Sequence, residues 1–420
     1  MTLEAIRLGV VPAADVGAYT VGREAELATV DADLSDTDGK GGAVRAFMGD
    51  YGLGKTHLLE LIQHRALSQG FLVARAMLDG HETSPSHPGR VYRALIRGLR
   101  DPERPYEEGT ALERLLARAS AEPKALERFA VDAQAKTPEA GLAAGAHLYI
   151  TPALRYARHL YHPNASPGAV ADRELLLSWL GGQASMAGQG LEQRLSSHCG
   201  SNQGRLYSLQ DYRPWARIYA YLVSGLGTLA RAVGYKGLVV VLDEAEFYAV
   251  LSGENRAHAR RLFKALALAS VGQEEGTLPF DAAELDPGGA GIQRTLPARY
   301  GDHPGLYTVL AMTPQKAGMD ALRAAVPWRR ISDLKGLERE HYVELARQVL
   351  VLYKNSHPGI NLPDAIIGPL AQVMTGLIGT GYIANPRQGV KFIVEFLDVV
   401  RFAPQDVAEM VRNLQRLLVF

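Results

Sequence analysis

The stretch GDYGLGKT at residues 49–56 has the complete form G-x-x-x-x-G-K-[ST]. It follows residues 43–48, AVRAFM, which predict a buried strand, and it precedes residues 57–67, whose apolar side chains recur at helical spacing. Glycines let successive backbone N–H groups of such a loop point at an anion, and the helix start adds the positive end of its dipole. This strand–loop–helix unit therefore predicts a phosphate-binding loop.

The residues of the loop have separate expected roles in binding a nucleoside triphosphate. Lys55 is expected to reach the β- and γ-phosphates, and the Thr56 hydroxyl is expected to ligate Mg²⁺. A glycine-rich turn that happens to stand beside a lysine is the alternative, and the flanking strand and helix argue against it. The predicted cofactors are ATP and Mg²⁺. The predicted nucleotide contacts are Gly49, Asp50, Tyr51, Gly52, Leu53, Gly54, Lys55, Thr56 and His57.

The composition is that of an ordinary soluble globular protein. The 420 residues are 47% hydrophobic and 21% charged, which leaves room for two or three domains. Lys+Arg and Asp+Glu both number 45, so no global field favours nucleic acid or membrane, and DNA contact must come from a local patch. Cys199 is the only cysteine, which excludes an intrachain disulfide. We find no apolar run of transmembrane length and no signal peptide, and we predict a cytoplasmic protein without a membrane partner.

A second motif stands at residues 237–246, GLVVVLDEAE. Five apolar residues that end in two carboxylates predict a central parallel strand, whose carboxyl end is expected beside the phosphate-binding loop. Asp243 is then expected to hold Mg²⁺ through its waters together with Thr56, and Glu244 to act as general base on the attacking water. The adjacent pair favours hydrolysis over kinase-type transfer. A solvated acidic turn is the alternative, and Glu246 either supports one of these roles or faces solvent.

Two further strands are predicted. Residues 71–77 lie in sequence between the loop helix and the Asp-Glu strand, as expected of ATPases that carry a catalytic glutamate. Residues 306–312 end at Thr313, which is a candidate sensor 1 residue that contacts the γ-phosphate or the attacking water. Thr313 equally suits a strand-to-helix turn that caps the next helix, and the sequence does not decide between the two.

This order of motifs resembles AAA+ ATPases, especially the Orc/Cdc6-like branch. Residues 19–27, YTVGREAEL, are similar to that branch's N-terminal segment, which packs against adenine, so the resemblance places Val21 and Gly22 at the base. More narrowly, the chain resembles the ATP-binding family of BREX phage-defence systems, the BrxC/BrxD type. Residues 234–238, GYKGL, and 91–95, VYRAL, carry that resemblance, and the length resembles the compact BrxD form.

The AAA+ resemblance implies roles for arginines. Arg329 and Arg330 stand just before a plausible last strand at residues 331–337, where AAA+ proteins commonly carry the arginine finger that reaches a neighbour's γ-phosphate. The sequence does not choose between them, and a basic surface corner is the alternative. Arg387 opens a predicted helix and matches a sensor 2 arginine, which faces the bound phosphates from the lid. A solvated arginine is the alternative there.

The predicted fold is an α/β P-loop NTPase of AAA+/ASCE type, with a parallel sheet, a large helical insert and a C-terminal helical lid. Residues 36–42 read as a loose connection at the end of the N-terminal extension. The lid has an open alternative, a winged-helix-like end, although no strand pair for a wing is visible. The predicted segments are the extension with the adenine-side segment at 1–40, the ATPase core at 41–335 and the lid at 336–420. The core includes the insert at about 85–233, which contains an amphipathic run at 215–233. The lid contains helices at 339–355, 364–378, 386–402 and 405–418.

A basic stripe is the candidate DNA contact. Arg90, Arg93, Arg97 and Arg100 recur at spacings of three and four and would share one helical face. Such a face suits a phosphate backbone, and an ordinary solvated helix has the same pattern.

Together these features predict a Mg²⁺-dependent AAA+ ATPase that acts on DNA or on a DNA-bound partner, such as a helicase, in bacterial phage defence. We expect a homo-oligomer that binds ATP and ADP. A nucleotide-dependent switch or scaffold that turns over slowly and regulates a partner is the second hypothesis. Near-neutral charge favours the switch, while the Asp-Glu pair favours hydrolysis. Phosphotransfer to a small molecule is a third hypothesis, for which no substrate site is visible.

Overall fold

A six-stranded sheet forms the α/β core. The computed structural model describes residues 2–13, 15–165, 168–183, 188–200, 203–273, 277–286, 288–360 and 362–417. The spatial order of the strands is β3-β2-β4-β5-β1-β6. They are β1 (Gly42–Met48), β2 (Leu72–Met77), β3 (Leu99–Arg100), β4 (Leu238–Asp243), β5 (Leu306–Met312) and β6 (Ile331–Asp333).

The Asp-Glu strand is central, as predicted. β4 runs parallel to both β2 and β5, with Val240 opposite Ala74 on one side and Thr308 on the other. Every residue of β4 is buried, which is the burial expected of a parallel strand covered on both faces. The predictions for β1, β2 and β5 are confirmed to within one residue at each end.

The last strand is shorter than predicted. β6 ends at Asp333 rather than at residue 337. One more backbone bond follows it, from the Leu334 N–H to the Met48 carbonyl at 2.7 Å. The Lys335 carbonyl, two residues beyond the strand, accepts a hydrogen bond from the Arg23 side chain at 3.0 Å. At this residue the backbone is thus bonded to a side chain and not to a neighbouring strand.

Helices make up most of the remaining described residues. Among the described residues they are, in chain order, α1 (Thr2–Arg7), α2 (Glu24–Lys40), α3 (Lys55–Ser68), α4 (Pro88–Arg97), α5 (Ala111–Ala121), α6 (Pro123–Arg128), α7 (Pro138–Ala143), α8 (Ile150–Leu160), α9 (Ala169–Leu180), α10 (Gly188–Cys199), α11 (Ala216–Ala232), α12 (Gly253–Val271), α13 (Lys316–Arg323), α14 (Arg339–Ser356), α15 (Ile367–Gly379), α16 (Pro386–Phe402) and α17 (Val407–Leu417). In the part of the chain that the structure describes, none of these helices is both long enough and apolar enough to cross a membrane.

The chain forms two compact units. The first comprises Met1–Val30, Met48–His64 and Asp333–Phe420, and the second comprises Asp31–Phe47 and Arg65–Ser332. The domain boundaries predicted at residues 40 and 335 stay predictions.

The first unit has its own hydrophobic core. Leu3 of α1, Val349 of α14, Leu370 of α15 and Leu397 of α16 all lie in it. The four C-terminal helices occur where they were predicted, with a 3₁₀ turn at Asp364–Ile366 in place of the first turn of the second helix. Within residues 336–360 and 362–417 there is no strand, so the structure shows no wing there.

The insert departs from the prediction in two respects. Besides helices it contains β3, which pairs antiparallel with β2 at the sheet edge. The run at 215–233 forms α11, but the prediction that this helix is amphipathic is wrong, because residues 218–230 are buried at every position. α4, α5, α8 and α12 pack around it. The polar side chains of these residues, such as Ser224 and Thr228, are buried together with the apolar ones.

The segment at 36–42 is also more ordered than predicted, because α2 continues to Lys40. Asp33 and Thr37 are fully buried, and the Thr37 hydroxyl donates to the Asp33 carbonyl at 2.7 Å. These buried positions anchor the last turns of the helix, although the sequence there is rich in aspartate.

Candidate functional site

The phosphate-binding loop leads from β1 into α3, which begins at Lys55. Gly52 and Gly54 have φ values of +84° and +93°, a left-handed conformation that glycine adopts without a steric penalty. A Cβ at Gly52 would also lie 2.5 Å from the Asn385 side chain. The motif alone does not require glycine at position 52. The structure requires it both for the backbone conformation and for the close approach of Asn385.

Lys55 is held at the start of this loop. Its Nζ donates to the Gly49 carbonyl at 2.8 Å and to the Asp50 carbonyl at 3.4 Å, and the residue is only 8% exposed. Thr56 follows it in the first turn of α3, where backbone N–H groups have no partner within the helix. An ammonium group, a hydroxyl and a helix N-terminus on a curled backbone are the donors that the phosphates of ATP need. The residues present therefore fit this cofactor.

Arg23 fixes the loop from the N-terminal segment. Its Nη2 donates to the Leu53 carbonyl at 2.6 Å, its Nη1 donates to the Lys335 carbonyl at 3.0 Å, and Glu26 lies 3.3 Å away as counter-ion. The side chain is buried. The sequence analysis included this segment by resemblance but gave Arg23 no role, because nothing local shows which carbonyls an arginine reaches.

Val21 and Gly22 are consecutive residues at a bend in that segment. Val21 belongs to the hydrophobic core of the first unit. Gly22 has φ +62°, and a Cβ there would lie 2.9 Å from the His341 ring. The structure thus places both residues in a tightly packed turn, and their contact with adenine stays a prediction.

His57 joins the same segment to α3. Its Nε2 lies 2.8 Å from Thr20 Oγ1, and its ring meets the Tyr19 ring edge-on with centroids 4.9 Å apart. The Thr20 hydroxyl gives its one hydrogen to the Val16 carbonyl, so His57 Nε2 must carry a proton and donate to Thr20. Burial, followed by the positive charge of Arg23, lowers the pKa of His57 to about 4. His57 is therefore neutral at pH 7 and serves as a hydrogen-bonded link.

Arg387 lies against the phosphate-binding loop. Its guanidinium carbon is 5.3 Å from the centroid of the Tyr51 ring, and it also donates to the Tyr51 hydroxyl. A further bond runs from its Nη2 to the Gly9 carbonyl at 2.6 Å. The structure thus brings Arg387 to the loop, as a sensor 2 residue requires, while the role itself stays a prediction. The contacts to Tyr51 and Gly9 join parts distant in sequence and could not be predicted.

In the second unit, both oxygens of Asp243 are engaged. The side chain is fully buried, its Oδ1 accepts from the Glu244 N–H at 3.0 Å, and its Oδ2 lies 3.0 Å from Arg75 Nη2. Arg75 belongs to β2 and stands opposite Val241 in the register. The only sequence signal for this pair was a charged residue inside an apolar strand. If Asp243 held a magnesium ion, the Asp243 carboxylate would bind both the ion and Arg75.

The ion pair makes a testable contribution to stability. Replacing Arg75 by methionine leaves a buried carboxylate without its counter-ion, and we expect the free energy of unfolding to fall by about 3–5 kcal/mol. Denaturant unfolding of parent and variant measures the loss. The double variant Arg75→Met/Asp243→Asn removes both charges and is expected to recover most of it. An Arg75→Met protein as stable as the parent would show that the pair contributes nothing.

Glu244 has a strained backbone. Its φ of +59° and ψ of 35° lie in the left-handed region. Among the described residues other than glycine, only Ala130 also has a positive φ. Strain of this kind costs about 1–3 kcal/mol and is concentrated at functional sites. The conformation places the Glu244 N–H on the Asp243 carboxylate. The two acidic residues therefore form one local unit and not a loose solvated turn.

Thr313 is oriented by Glu246. Its hydroxyl donates to Glu246 Oε1, while Glu246 Oε2 is buried without a hydrogen-bond partner among the described residues. The next helix, α13, has Gln315 at its N-cap and no side-chain cap bond. The alternative that Thr313 caps this helix is therefore wrong. Glu246 faces a partner in the chain rather than solvent, and the sensor 1 role of Thr313 stays a prediction.

The two candidate finger arginines differ in their surroundings. Arg330 forms ion pairs with the fully buried Asp33 and, at 3.6 Å, with Asp36. Asp33 also binds Arg45, with a 3.0 Å bond from Nη2, and accepts from the Tyr307 hydroxyl at 2.9 Å. Arg330 is thus tied into a buried network of its own chain.

Arg329 is exposed beside it. Both arginines belong to the 3₁₀ turn Trp328–Arg330, and the side chain of Trp328 is 84% exposed. A residue that reaches a neighbouring subunit must be at the surface. Of the two arginines, Arg329 meets that condition.

The predicted basic stripe is only partly as expected. α4 ends at Arg97, and Arg100 lies on β3, so the prediction that all four arginines share one helical face is wrong. Arg90 and Arg93 lie 2.6 Å and 3.9 Å from Asp211, and Arg100 pairs with Glu108. Only Arg97 of the stripe is fully exposed. Most of the charge of the stripe is compensated within the chain.

Metal-binding side chains are not clustered in the described part of the chain. There, no group of three or more His, Cys, Asp or Glu side chains is arranged to hold a metal ion. The magnesium roles of Thr56 and Asp243 stay predictions.

A family comparison bears on this nucleotide site. The family model described as BREX system ATP-binding protein BrxC/D matches residues 1–267, which is 267 of the 420 residues. The matched stretch contains the phosphate-binding loop, Arg75, Asp243 and Glu244. A comparison with curated proteins found no match. The chain belongs to the BrxC/D family of ATP-binding proteins of the BREX phage-defence system.

Proposed function

We propose that this protein is a Mg²⁺-dependent ATPase of the AAA+ type that acts on DNA or on a DNA-bound partner, such as a helicase, in BREX phage defence. The observation that carries the proposal is the strained Glu244 directly after the fully buried Asp243, at the end of a central parallel strand in a family of ATP-binding proteins. A backbone held at positive φ there supports a reactive carboxylate rather than a solvated turn.

Each residue has a defined task in this proposal. Lys55 binds the β- and γ-phosphates, and Thr56 and Asp243 hold Mg²⁺, which supplies further charge neutralisation when bound. Glu244 accepts the proton of the attacking water. The Thr313 hydroxyl, which donates to Glu246, contacts the γ-phosphate or the attacking water as sensor 1.

The AAA+ assignment is supported by the sheet and by the arginines. β5, which ends next to Thr313, lies between β4 and β1 in the strand order. Arg387 lies at the phosphate-binding loop, as a sensor 2 arginine does, and Arg329 is the exposed finger candidate. The compact BrxD form is proposed on length alone, and homo-oligomerisation on the finger.

Replacing Glu244 by glutamine tests the hydrolytic function. The amide cannot accept a proton, and we expect turnover to fall by about 10²–10⁴-fold while ATP affinity is kept. Phosphate release measures turnover and calorimetry measures affinity. Glu113→Gln changes an exposed glutamate of α5 by the same chemistry and is expected to leave both unchanged. Parent-like turnover in Glu244→Gln would mean that another residue is the base.

A slow nucleotide switch is the second candidate, and one observation favours it. Arg75 already occupies the carboxylate that is to hold Mg²⁺, at 3.0 Å. An internal cation at that position competes with the metal and slows each turnover. A parent rate below about one per minute, unchanged by DNA, would favour the switch over the ATPase.

A further inference from the structure

The first half of α12 is rich in arginine. The helix begins at Gly253, shortly after Glu244, and its first nine residues hold three arginines and one glutamate. Arg260 is exposed, while Arg256 and Arg261 are half-buried. The sequence analysis did not single out this run, because it lies in no motif.

Two other segments bring more arginines to the same place. Arg213 Nη1 lies 3.5 Å from Glu254 of α12, and its Nε lies 3.3 Å from His87 Nε2. Arg90 and Arg93 of α4 lie on Asp211, two residues before Arg213. With Arg256, Arg260 and Arg261 of α12 this makes six arginines, and the acidic residues among them are Asp211, Glu254 and, close to His258, Asp286. The cluster keeps an excess of three positive charges after its own acidic residues are counted.

The two histidines of the cluster respond to this excess. Burial, followed by Arg261 and Arg213, lowers the pKa of His258. The same is true of His87, where burial comes first and Arg90 and Arg213 add to it against the opposing effect of Asp211. Positive neighbours disfavour a second positive charge. Both rings thus lie in a positive field.

Hydrogen bonding in this cluster is incomplete. Buried polar atoms without a partner among the described residues are uncommon in folded chains. Five of them occur here: Asp211 Oδ1, Trp215 Nε1, Asn255 Oδ1, Arg256 Nε and His258 Nδ1. Of these atoms, Trp215 Nε1 and Arg256 Nε are N–H donors without an acceptor, and a phosphate oxygen is an acceptor of the kind that they lack.

We propose that this basic surface, formed by Arg90, Arg93, Arg213, Arg256, Arg260 and Arg261, binds the phosphate backbone of DNA. Guanidinium groups bind phosphate through paired, charge-assisted hydrogen bonds. The inference rests on the proposed function, in which DNA is a partner, and it moves the contact from the predicted stripe to α12. Arg90 and Arg93 belong both to the predicted stripe and to this surface, whereas Arg97 and Arg100 belong to the stripe alone.

The same arginines connect the surface to the acidic pair. Arg256 donates to the Ala249 carbonyl, and Arg260 donates to the Tyr248 hydroxyl at 3.1 Å. Both acceptors belong to the 3₁₀ segment Ala245–Val250, which directly follows Glu244. DNA that draws Arg256 and Arg260 toward its phosphates changes the anchoring of this segment. DNA binding is thereby linked to ATP turnover.

The test is the double charge reversal Arg260→Glu/Arg261→Glu. Fluorescence anisotropy with a labelled 30-base-pair duplex and the matching single strand, between 50 and 200 mM salt, gives the affinity. We expect at least about tenfold weaker binding than the parent at 50 mM, and a salt slope reduced by roughly two, because two phosphate contacts are lost. Stimulation of ATP turnover by DNA is expected to disappear with it.

Arg97→Glu/Arg104→Glu is the matched control. It makes the same change in charge at two exposed arginines outside the surface, and we expect binding within about threefold of the parent. Circular dichroism and thermal midpoints check that both variants fold. Equal loss of binding in the control and test variants overturns the proposal, as does parent-like binding by Arg260→Glu/Arg261→Glu.

Two further outcomes separate this inference from the proposed function. A parent that binds no DNA, but whose ATP turnover depends on Glu244, would remove the DNA surface and keep the ATPase. Competition by poly-glutamate as strong as by DNA of equal charge would point to an acidic protein partner and overturn the DNA assignment.

Discussion

Lys55→Ala is expected to weaken ATP binding by about 10²–10⁴-fold. Each charge-assisted hydrogen bond to a phosphate contributes about 1.5–3 kcal/mol, and we propose that Lys55 makes one to the β- and one to the γ-phosphate. The loss for ADP is expected to be smaller, because ADP has no γ-phosphate. Calorimetry with ATP and ADP in the presence of Mg²⁺ measures both. ATP turnover is expected to fall with the affinity.

The control for this prediction concerns the loop itself. Lys55 also bonds to the carbonyls of Gly49 and Asp50, so its removal could loosen the loop. Lys55→Arg keeps the charge and the donors but changes their reach, and it is expected to lie between the parent and Lys55→Ala. Thermal midpoints show whether each variant folds. Equal ATP affinity in the parent and in Lys55→Ala would remove the nucleotide assignment of residues 49–56.

Strands buried on both faces were the most predictable part of the fold. β1, β4 and β5 are mostly apolar, because neither face meets water, and their ends were predicted to within one residue. The phosphate-binding loop and the Asp-Glu pair were predictable for a related reason. Each occupies a fixed position relative to the end of such a strand.

Contacts between distant segments were not predictable. Arg75 and Asp243 are 168 residues apart, and Arg330 and Asp33 are 297 apart, so no local pattern joins either pair. Asp33 illustrates the difficulty, because it stands in a stretch of aspartates that is typical of a solvated surface. The structure buries it completely beneath Arg45, Tyr307 and Arg330.

The burial of a helix on all its faces could also not be predicted from the sequence. Residues 215–233 contain tyrosines, a serine and arginines among apolar residues, a mixture that reads as one polar and one apolar face. In α11 the Tyr219 hydroxyl donates to the Gln210 carbonyl and the Ser224 hydroxyl donates to the Tyr221 carbonyl, at 2.7 Å and 2.9 Å. Polar groups that find partners within the fold are buried with the rest of the helix.

The buried network also gives the two finger candidates different expected phenotypes. Arg330→Ala removes a cation from the fully buried Asp33, which keeps only Arg45 as a close counter-ion. We expect this variant to lose stability within its own chain. Arg329 is exposed and holds no such position, so Arg329→Ala is expected to fold like the parent and to lose only what it supplies to a neighbour.

Arg329→Ala is therefore expected to lower ATP turnover by about 10³–10⁵-fold, the effect of arginine fingers in GTPases, if the arginine completes the site of an adjacent subunit. The parent rate per subunit should rise with protein concentration, because isolated chains lack the finger.

Mixing inactive Glu244→Gln with inactive Arg329→Ala should restore activity, since one mixed interface combines an intact Glu244 with an intact Arg329. Contacts of this head-to-tail kind close into rings or continue as helical filaments. A mixture no faster than its two components, together with a parent rate independent of concentration, would make Arg329 an ordinary surface charge and leave the slow monomeric switch as the better account.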